Sequence, residues 1–392
     1  MSFSEQERIY TVIMRSGTSK GIYLNENDLP KDKELRDKVI LSIFGSPDPR
    51  QIDGLGGADN LTSKLALVSV SSHPDADIDY TFGQVEINKP YIHYSGLCGN
   101  ISAGVAPYAI DEGLIKAEEP VTRVRVRSVN NNQIFVTEVP VYNGKTKVIG
   151  DYAIDGVPGT SARINIDMST TAGTVKGLLL PTGNVKDKIY IDGFGEIEIS
   201  VVDVVNPSIF VKAADLGLRG DENPQEFNKM ADKIEILEKI RAYVAEEILD
   251  FKGWSKAEIR DTNPFIGFVS PPKTYINHLT KEEVSADSVD FLSRILFMGG
   301  MHQTHPGSIS CVVGAASVIP GTVVSEVASF KAMSKTVRIG HPAGIIEVEA
   351  AVEKTEPGAK EPYKLTRAVY SRTVRRLMDG YAYVPKTVFE KP

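Results

Sequence analysis

The stretch GNISAGVAPYAI (Gly99–Ile110) returns 208 positions later as GSISCVVGAASV (Gly307–Val318), an offset of about half the 392-residue chain. Four of the twelve aligned positions are identical, and both copies carry apolar residues at helical spacing: Ile101, Val105 and Tyr108 against Ile309, Val313 and Ala316. Cys98 stands directly before the first copy and Pro306 before the second. A chain built this way is expected to form two similar halves. Each would contribute one helix start, and the two starts would face each other across a cleft.

A helix start has unpaired N–H groups and a partial positive charge, so it favours carboxylates and phosphates. Gly99 and Gly307 would let a ligand approach closely, and Asn100 or Ser308 is expected to cap its helix. A thiolate at Cys98 would be stabilised by the same field. The pattern therefore points to a small anionic substrate beside a reactive thiol. The competing reading makes Cys98 a small buried core residue, as most free cysteines are.

Composition narrows the class. With 42% hydrophobic residues the chain can bury a substantial core, as two domains or one large one. Net charge is −7, and no basic run suggests nucleic acid as a partner. No apolar run has the length of a membrane span, and MSFSEQERIY has no charged-then-apolar signal pattern. Two cysteines give no disulfide framework and suggest a reducing compartment. A soluble, cytoplasmic protein is expected.

Strand-like runs dominate: Ile9–Arg15, Ser63–Ser71, Val121–Val129, Gln133–Tyr142, Lys188–Val204, Ser208–Ala213 and Gly344–Glu353. VTRVRVRSV alternates as a half-buried strand does, whereas SKLALVSVS is nearly continuous, as in a strand covered on both faces. Pro224 to Leu249 reads as one helix, and TRAVYSRTVRRLMDG as a C-terminal helix stopped by Gly380. The class is mixed α/β with much antiparallel strand.

Further candidates lie in the first third. In MRSGTSKGIYL, Arg15 could clamp a carboxylate while Ser16, Gly17 and Thr18 offer donors; Lys20 reads as a turn residue. IDGLGGADNLTSKLALV matches neither the phosphate loop nor the dinucleotide fingerprint, so nucleotide binding is not expected. Lys64, at the mouth of the strand that follows, is either a surface amine or a partly buried one suited to act as a base. His302 and His305 lack a third ligand at metal spacing. Cys311 reads as core.

The set MRSGTSKGIYL, IDGLGGADNLTSKLALV, LCGNISAGVAPYAI, GLLLPTGN, VVNPSIFV, AASVIPGTV and RTVRRLMDGYAYVP resembles, in order and along the whole chain, the 2-methylaconitate isomerase family (the PrpF type). That family includes methylitaconate Δ-isomerase and 4-oxalomesaconate tautomerase. The resemblance implies a diaminopimelate-epimerase-like fold: two pseudo-symmetric domains, each with strands wrapped around a central helix, and an active site between them. The expected division is 1–185 and 186–364, with a C-terminal helix at about 365–392 packed back on the first domain. In the epimerases a cysteine precedes each central helix. Here Cys98 keeps that place, and Pro306 cannot carry a proton, which argues against a two-cysteine racemase. In the isomerases the partner is a lysine, and the matching residue is Lys64.

The resulting expectation is a cofactor-independent isomerase, needing no metal or nucleotide, that shifts a proton across an allylic system in a small unsaturated di- or tricarboxylate. Cys98 and Lys64 transfer the protons. The first-turn N–H groups of Gly99, Asn100, Gly307 and Ser308 stabilise the developing charge. Arg15, Ser16, Gly17, Thr62, Ser63 and His305 are candidate carboxylate contacts. ADNLTSK and ISAGVAPYAI rank methylitaconate first, 2-methylaconitate second and oxalomesaconate third. A non-catalytic, organic-acid-binding accessory protein is the competing class. The oligomeric state, a homo-oligomer included, stays open.

Overall fold

Cross-strand register decides which side chains share a face, and it organises the first of two units into which the chain divides: Met1–Ile166 with Ser371–Pro392, and Asp167–Tyr370. The computed structural model describes residues 5–94, 97–251, 264–297 and 299–390. In the first unit the strand Gln6–Ser16 runs antiparallel to Ser19–Asn25 and to Val374–Pro385. Ser19–Asn25 lies parallel to Lys64–Val70, which is antiparallel to Ile78–Val85. Val121–Ser128 and Ile134–Tyr142 extend the sheet.

Directly opposed residues point to the same face. Ile22, Leu24, Leu65, Leu67 and Val85 pack with Val39, Ile40, Ile43 and Phe44 of the helix Lys33–Phe44. The other face carries Gly21, Tyr23, Lys64 and Ala66, and meets the helical segment that follows Cys98. There the Tyr23 hydroxyl donates to the Ile101 carbonyl at 2.8 Å, and its ring stacks on Tyr108. Both faces are therefore covered, and Leu65 to Val68 are wholly buried, as the continuous apolar run implied.

The repeated segment is helical in both copies, with one difference. In the first it is split into Gly99–Ser102 and Val105–Asp111. Pro107 is the cause: it lacks an N–H and is tolerated only in a first turn, so a new helix begins two residues before it. The second copy has Ala315 at the equivalent place and runs unbroken from Gly307 to Val318. All ten residues from Ile309 to Val318 are buried, the mark of a helix enclosed on every side.

In the second unit that helix packs on the strand Gly344–Lys354, where Gly314 comes so close that a Cβ would stand 2.5 Å from Val348 Cγ2. Gly344–Lys354 pairs with Ser334–His341 and Tyr363–Arg372. A second layer joins Leu237 and Ile240 of the helix Ala231–Tyr243 to Val201, Ile209, Ile266 and Phe268 on the strands Gly195–Val204, Asn206–Lys212 and Phe265–Ser270.

Three expectations are corrected. The stretch TRAVYSRTVRRLMDG is not a helix: it forms parts of the strands Tyr363–Arg372 and Val374–Pro385, Gly380 pairs with Thr11 instead of ending a helix, and a short 3-10 turn, Lys386–Phe389, follows. The long helix divides into Pro224–Phe227, closed by an Asn223–Glu226 capping box, and Ala231–Tyr243, which continues as a π-turn over Val244–Ile248. Lys188–Val204 is a hairpin of Asp187–Ile191 and Gly195–Val204. The breaks between units fall at 166/167 and 370/371, the first of them well ahead of the 185/186 division read from the sequence.

Because a side chain at position 314 has nowhere to go, Gly314→Val is expected to destabilise the protein by about 1–3 kcal/mol. Urea unfolding followed by circular dichroism measures this; an unchanged midpoint would contradict the close packing.

Candidate active site

Cys98 is half-buried and is the residue immediately preceding the helix Gly99–Ser102, with no side-chain cap. The N–H and hydroxyl of Ser102 both donate to the Cys98 carbonyl, at 2.9 and 2.8 Å. Ser310 repeats this on the Pro306 carbonyl, at 2.8 and 2.9 Å. The 208-residue repeat is thus kept in hydrogen bonds as well as in letters.

Asn100 and Ser308 are not caps; Cys98 and Pro306 hold those positions. The Asn100 side chain ties the helix start to other elements instead. Its Nδ2 donates to Thr18 Oγ1 at 2.9 Å, and its Oδ1 accepts from Arg372 Nε at 3.0 Å. Gly17 makes room for this: its φ is +56°, and a Cβ there would collide with Asn100 Oδ1. Buried Ser16 donates its hydroxyl to the Asn100 carbonyl. Arg15 Nη1 donates to the Thr373 carbonyl (2.6 Å), Thr373 Oγ1 (2.9 Å) and the Gly17 carbonyl (3.2 Å). Burial, and after it the neighbouring Arg375, push the Arg15 guanidinium below its ordinary pKa. Arg15 Nη1 is thereby committed to the strand junction.

Lys64 is only 9% exposed, which removes the surface reading. It sits opposite Gly21 on one side and Gln84 on the other. A Cβ on Gly21 would stand 2.8 Å from Ile101 Cδ1 and 3.1 Å from the Lys64 carbonyl, so the lysine and the cysteine helix meet the same patch of sheet. Lys64 Nζ donates to Gln84 Oε1 at 2.8 Å and lies 5.4 Å from the centre of the Phe82 ring. Ser63 is wholly buried and donates to Gln51 Oε1 (2.7 Å), which also accepts from the Ala58 N–H. Ser63 thus fastens the Gly-rich loop. Half-buried Thr62 donates to the Asp59 carbonyl at 3.3 Å.

In the second unit Gly307 and Ser308 are half-buried at their helix start. A chain of hydrogen bonds uses both nitrogens of His305. The Ser310 hydroxyl proton goes to the Pro306 carbonyl, so Ser310 Oγ accepts from His305 Nδ1 (2.7 Å), and Nε2 accepts from Ser293 (3.1 Å). That pattern suits a neutral ring, and burial pushes the His305 pKa down to about 3. Burial also lowers His302 and His341. Cys311 is buried. Among the described residues no three His, Cys, Asp or Glu side chains stand together as a metal site would require.

The structure adds Arg372, which with the expected donor Thr18 holds Asn100, and Gln84, which holds Lys64. Thr18 lies inside MRSGTSKGIYL and Arg372 opens RTVRRLMDGYAYVP, whereas Gln84 lies in none of the motifs read from the sequence. Arg372 reaches its partner across 272 positions, and Gln84 owes its place to strand register.

Two units, each with a helical copy of the repeat packed on its strands, give the chain a diaminopimelate-epimerase-like fold. A hydroxyproline epimerase from Agrobacterium vitis shares this fold, with a TM-score of 0.50 at 12% identity over 98% of this chain and 93% of that one. The PrpF protein model matches residues 6–385, and the chain belongs to that family. It is 50% identical to a 3-methylitaconate isomerase of Eubacterium barkeri, over 98% of this chain and 99% of the relative. A 2-methyl-aconitate isomerase of Shewanella oneidensis is 36% identical, with 98% of each chain covered. The crystal structure of a methylitaconate-delta-isomerase superposes with a TM-score of 0.91 at 49% identity, covering 99% and 98% of the two chains.

The buried histidines fix an acid response. An unfolded histidine takes a proton near pH 6.5, whereas folded His305 resists protonation down to about 3. Between those values the unfolded chain binds a proton that the folded one does not. Stability should therefore be level above pH 6.5 and fall as pH drops, by up to about 1.4 kcal/mol per pH unit for such a group. Urea midpoints taken from pH 7.5 to 4.5 check this, and His305→Gln should flatten the slope.

Proposed function

We propose that this protein is a cofactor-independent isomerase that interconverts methylitaconate and dimethylmaleate by a 1,3-proton shift. The observation that carries the reading is 50% identity along 98% of the chain to a 3-methylitaconate isomerase. In the reaction a base takes the proton from the methyl-bearing carbon beside a carboxylate. The freed electron pair becomes the new C=C bond, and the methylene carbon receives a proton and becomes a methyl group. Atoms balance with one proton out and one in. Charge rests on carboxylate oxygens between the two steps.

Cys98 and Lys64 carry the two transfers in this reading. The Lys64 ammonium and the first-turn N–H groups at Gly99 and Asn100 offset the developing charge. Arg15, Ser16, Gly17 and Ser63 build the frame beneath them, while Thr62 remains a candidate contact to a carboxylate. In the second unit Gly307 and Ser308 are candidate carboxylate donors.

Proton NMR in D2O with methylitaconate tests this. The native protein should move the double bond and introduce deuterium. Cys98→Ser and Lys64→Ala should each lose at least about 100-fold in rate while remaining folded. Turnover of 2-methylaconitate alone would shift the reading to that acid. No exchange with either acid would favour an accessory that only binds organic acids.

A further inference from the structure

We propose that Gln84 is a positioning residue that sets the orientation of the Lys64 amine; the inference rests on the reading of Lys64 as a proton-transfer group. Gln84 is the direct cross-strand partner of Lys64, two residues along the strand from Phe82, whose ring also faces the amine. Its amide is anchored at one end. Nε2 donates to the Asn60 and Ser63 carbonyls, both at 3.2 Å. A carbonyl oxygen can only accept, so the nitrogen must be the end that faces them. The oxygen is thereby turned to Lys64 Nζ, which donates to it at 2.8 Å.

This arrangement does more than fill space. Lysine has four rotatable bonds and is a poor positioning element unless something holds its tip. The acceptor that holds it is itself oriented by the loop Asn60–Ser63, directly ahead of Lys64 in the chain. Ser63 in turn is fastened to Gln51 and through it to Ala58. The Gly-rich loop thus reaches the lysine twice, through the backbone and through the Gln84 amide. A neutral amide is suited to this task, because it directs the amine without adding charge. A carboxylate here would hold the proton more firmly and would also turn its second oxygen against two carbonyls.

The test uses the full-length protein and the D2O exchange assay over a range of pH, with Gln84→Leu, Gln84→Glu and Lys64→Ala side by side. Gln84→Leu removes the acceptor. It should lower kcat about 10- to 100-fold with little change in KM, and move the limb of the pH–rate profile set by the amine to lower pH. Gln84→Glu should move that limb the opposite way, by about 1 pH unit. Opposite displacements support a positioning role, since a merely structural residue would lower activity or thermal stability without moving the limb in two directions. Limbs unmoved in both variants would overturn it. If Lys64→Ala keeps native exchange, the reading of Lys64 has failed, and the Gln84 role falls with it for a separate and visible reason.

Discussion

Position 21 has no room for a side chain. Its glycine lets Ile101 rest on the sheet beside the Lys64 backbone, and the placement of the cysteine helix follows from that contact. Every other feature of the first unit's site is consistent with this close approach. Tyr23, on the same face, bonds the Ile101 carbonyl; Ser16 bonds the Asn100 carbonyl; Gly17 admits the Asn100 side chain. Helix carbonyls and side chains that would otherwise be left without partners are used as attachment points. The half-buried thiol and the buried amine are thereby fixed relative to a single sheet, which is stiffer support than loops provide.

The same economy explains the division of labour among polar residues. A polar side chain buried here needs hydrogen-bond partners, and most of the candidates obtained theirs from the protein itself. Ser63, Ser16 and His305 are wholly or almost wholly buried and are engaged with neighbouring groups. They determine where other groups stand. Cys98, Thr62, Gly307 and Ser308 keep part of their surface exposed. The repeat sharpens the contrast: the two halves share the serine that clasps the helix-start carbonyl but differ in the residue that owns it, a thiol in one and a proline in the other.

The helix pair was legible in the sequence because an enclosed helix must be apolar all round, and that property repeats at a recognisable offset. The lysine was legible by its place at the mouth of a buried strand, although its neighbours were not. Failures came where structure is set by distant partners. TRAVYSRTVRRLMDG has apolar residues three and four apart and so imitates a helix. In the fold Ala368, Val369, Tyr370 and Ser371 are buried in succession, which erases alternation, and an irregularity in register opposite Ile13 and Met14 breaks the strand period further on. What makes it strand is pairing, of its first part with Gly344–Lys354 and of its second with Gln6–Ser16 at the other end of the chain. Capping was misplaced by two positions, because Asn100 resembles a cap in isolation but is drawn to Thr18 and Arg372.

Whether the thiol at the helix start faces the substrate is the point on which the functional reading turns. The direct measurement is the rate of Cys98 alkylation by iodoacetamide in the native protein, followed by mass spectrometry with and without dimethylmaleate. Buried Cys311 serves as the internal control. Rapid labelling of Cys98 alone, slowed by the dicarboxylate, is the expected result. A Cys98 that stays unlabelled until the protein unfolds, or that labels at one rate regardless of the acid, would contradict the placement of the thiol at the reacting carbon.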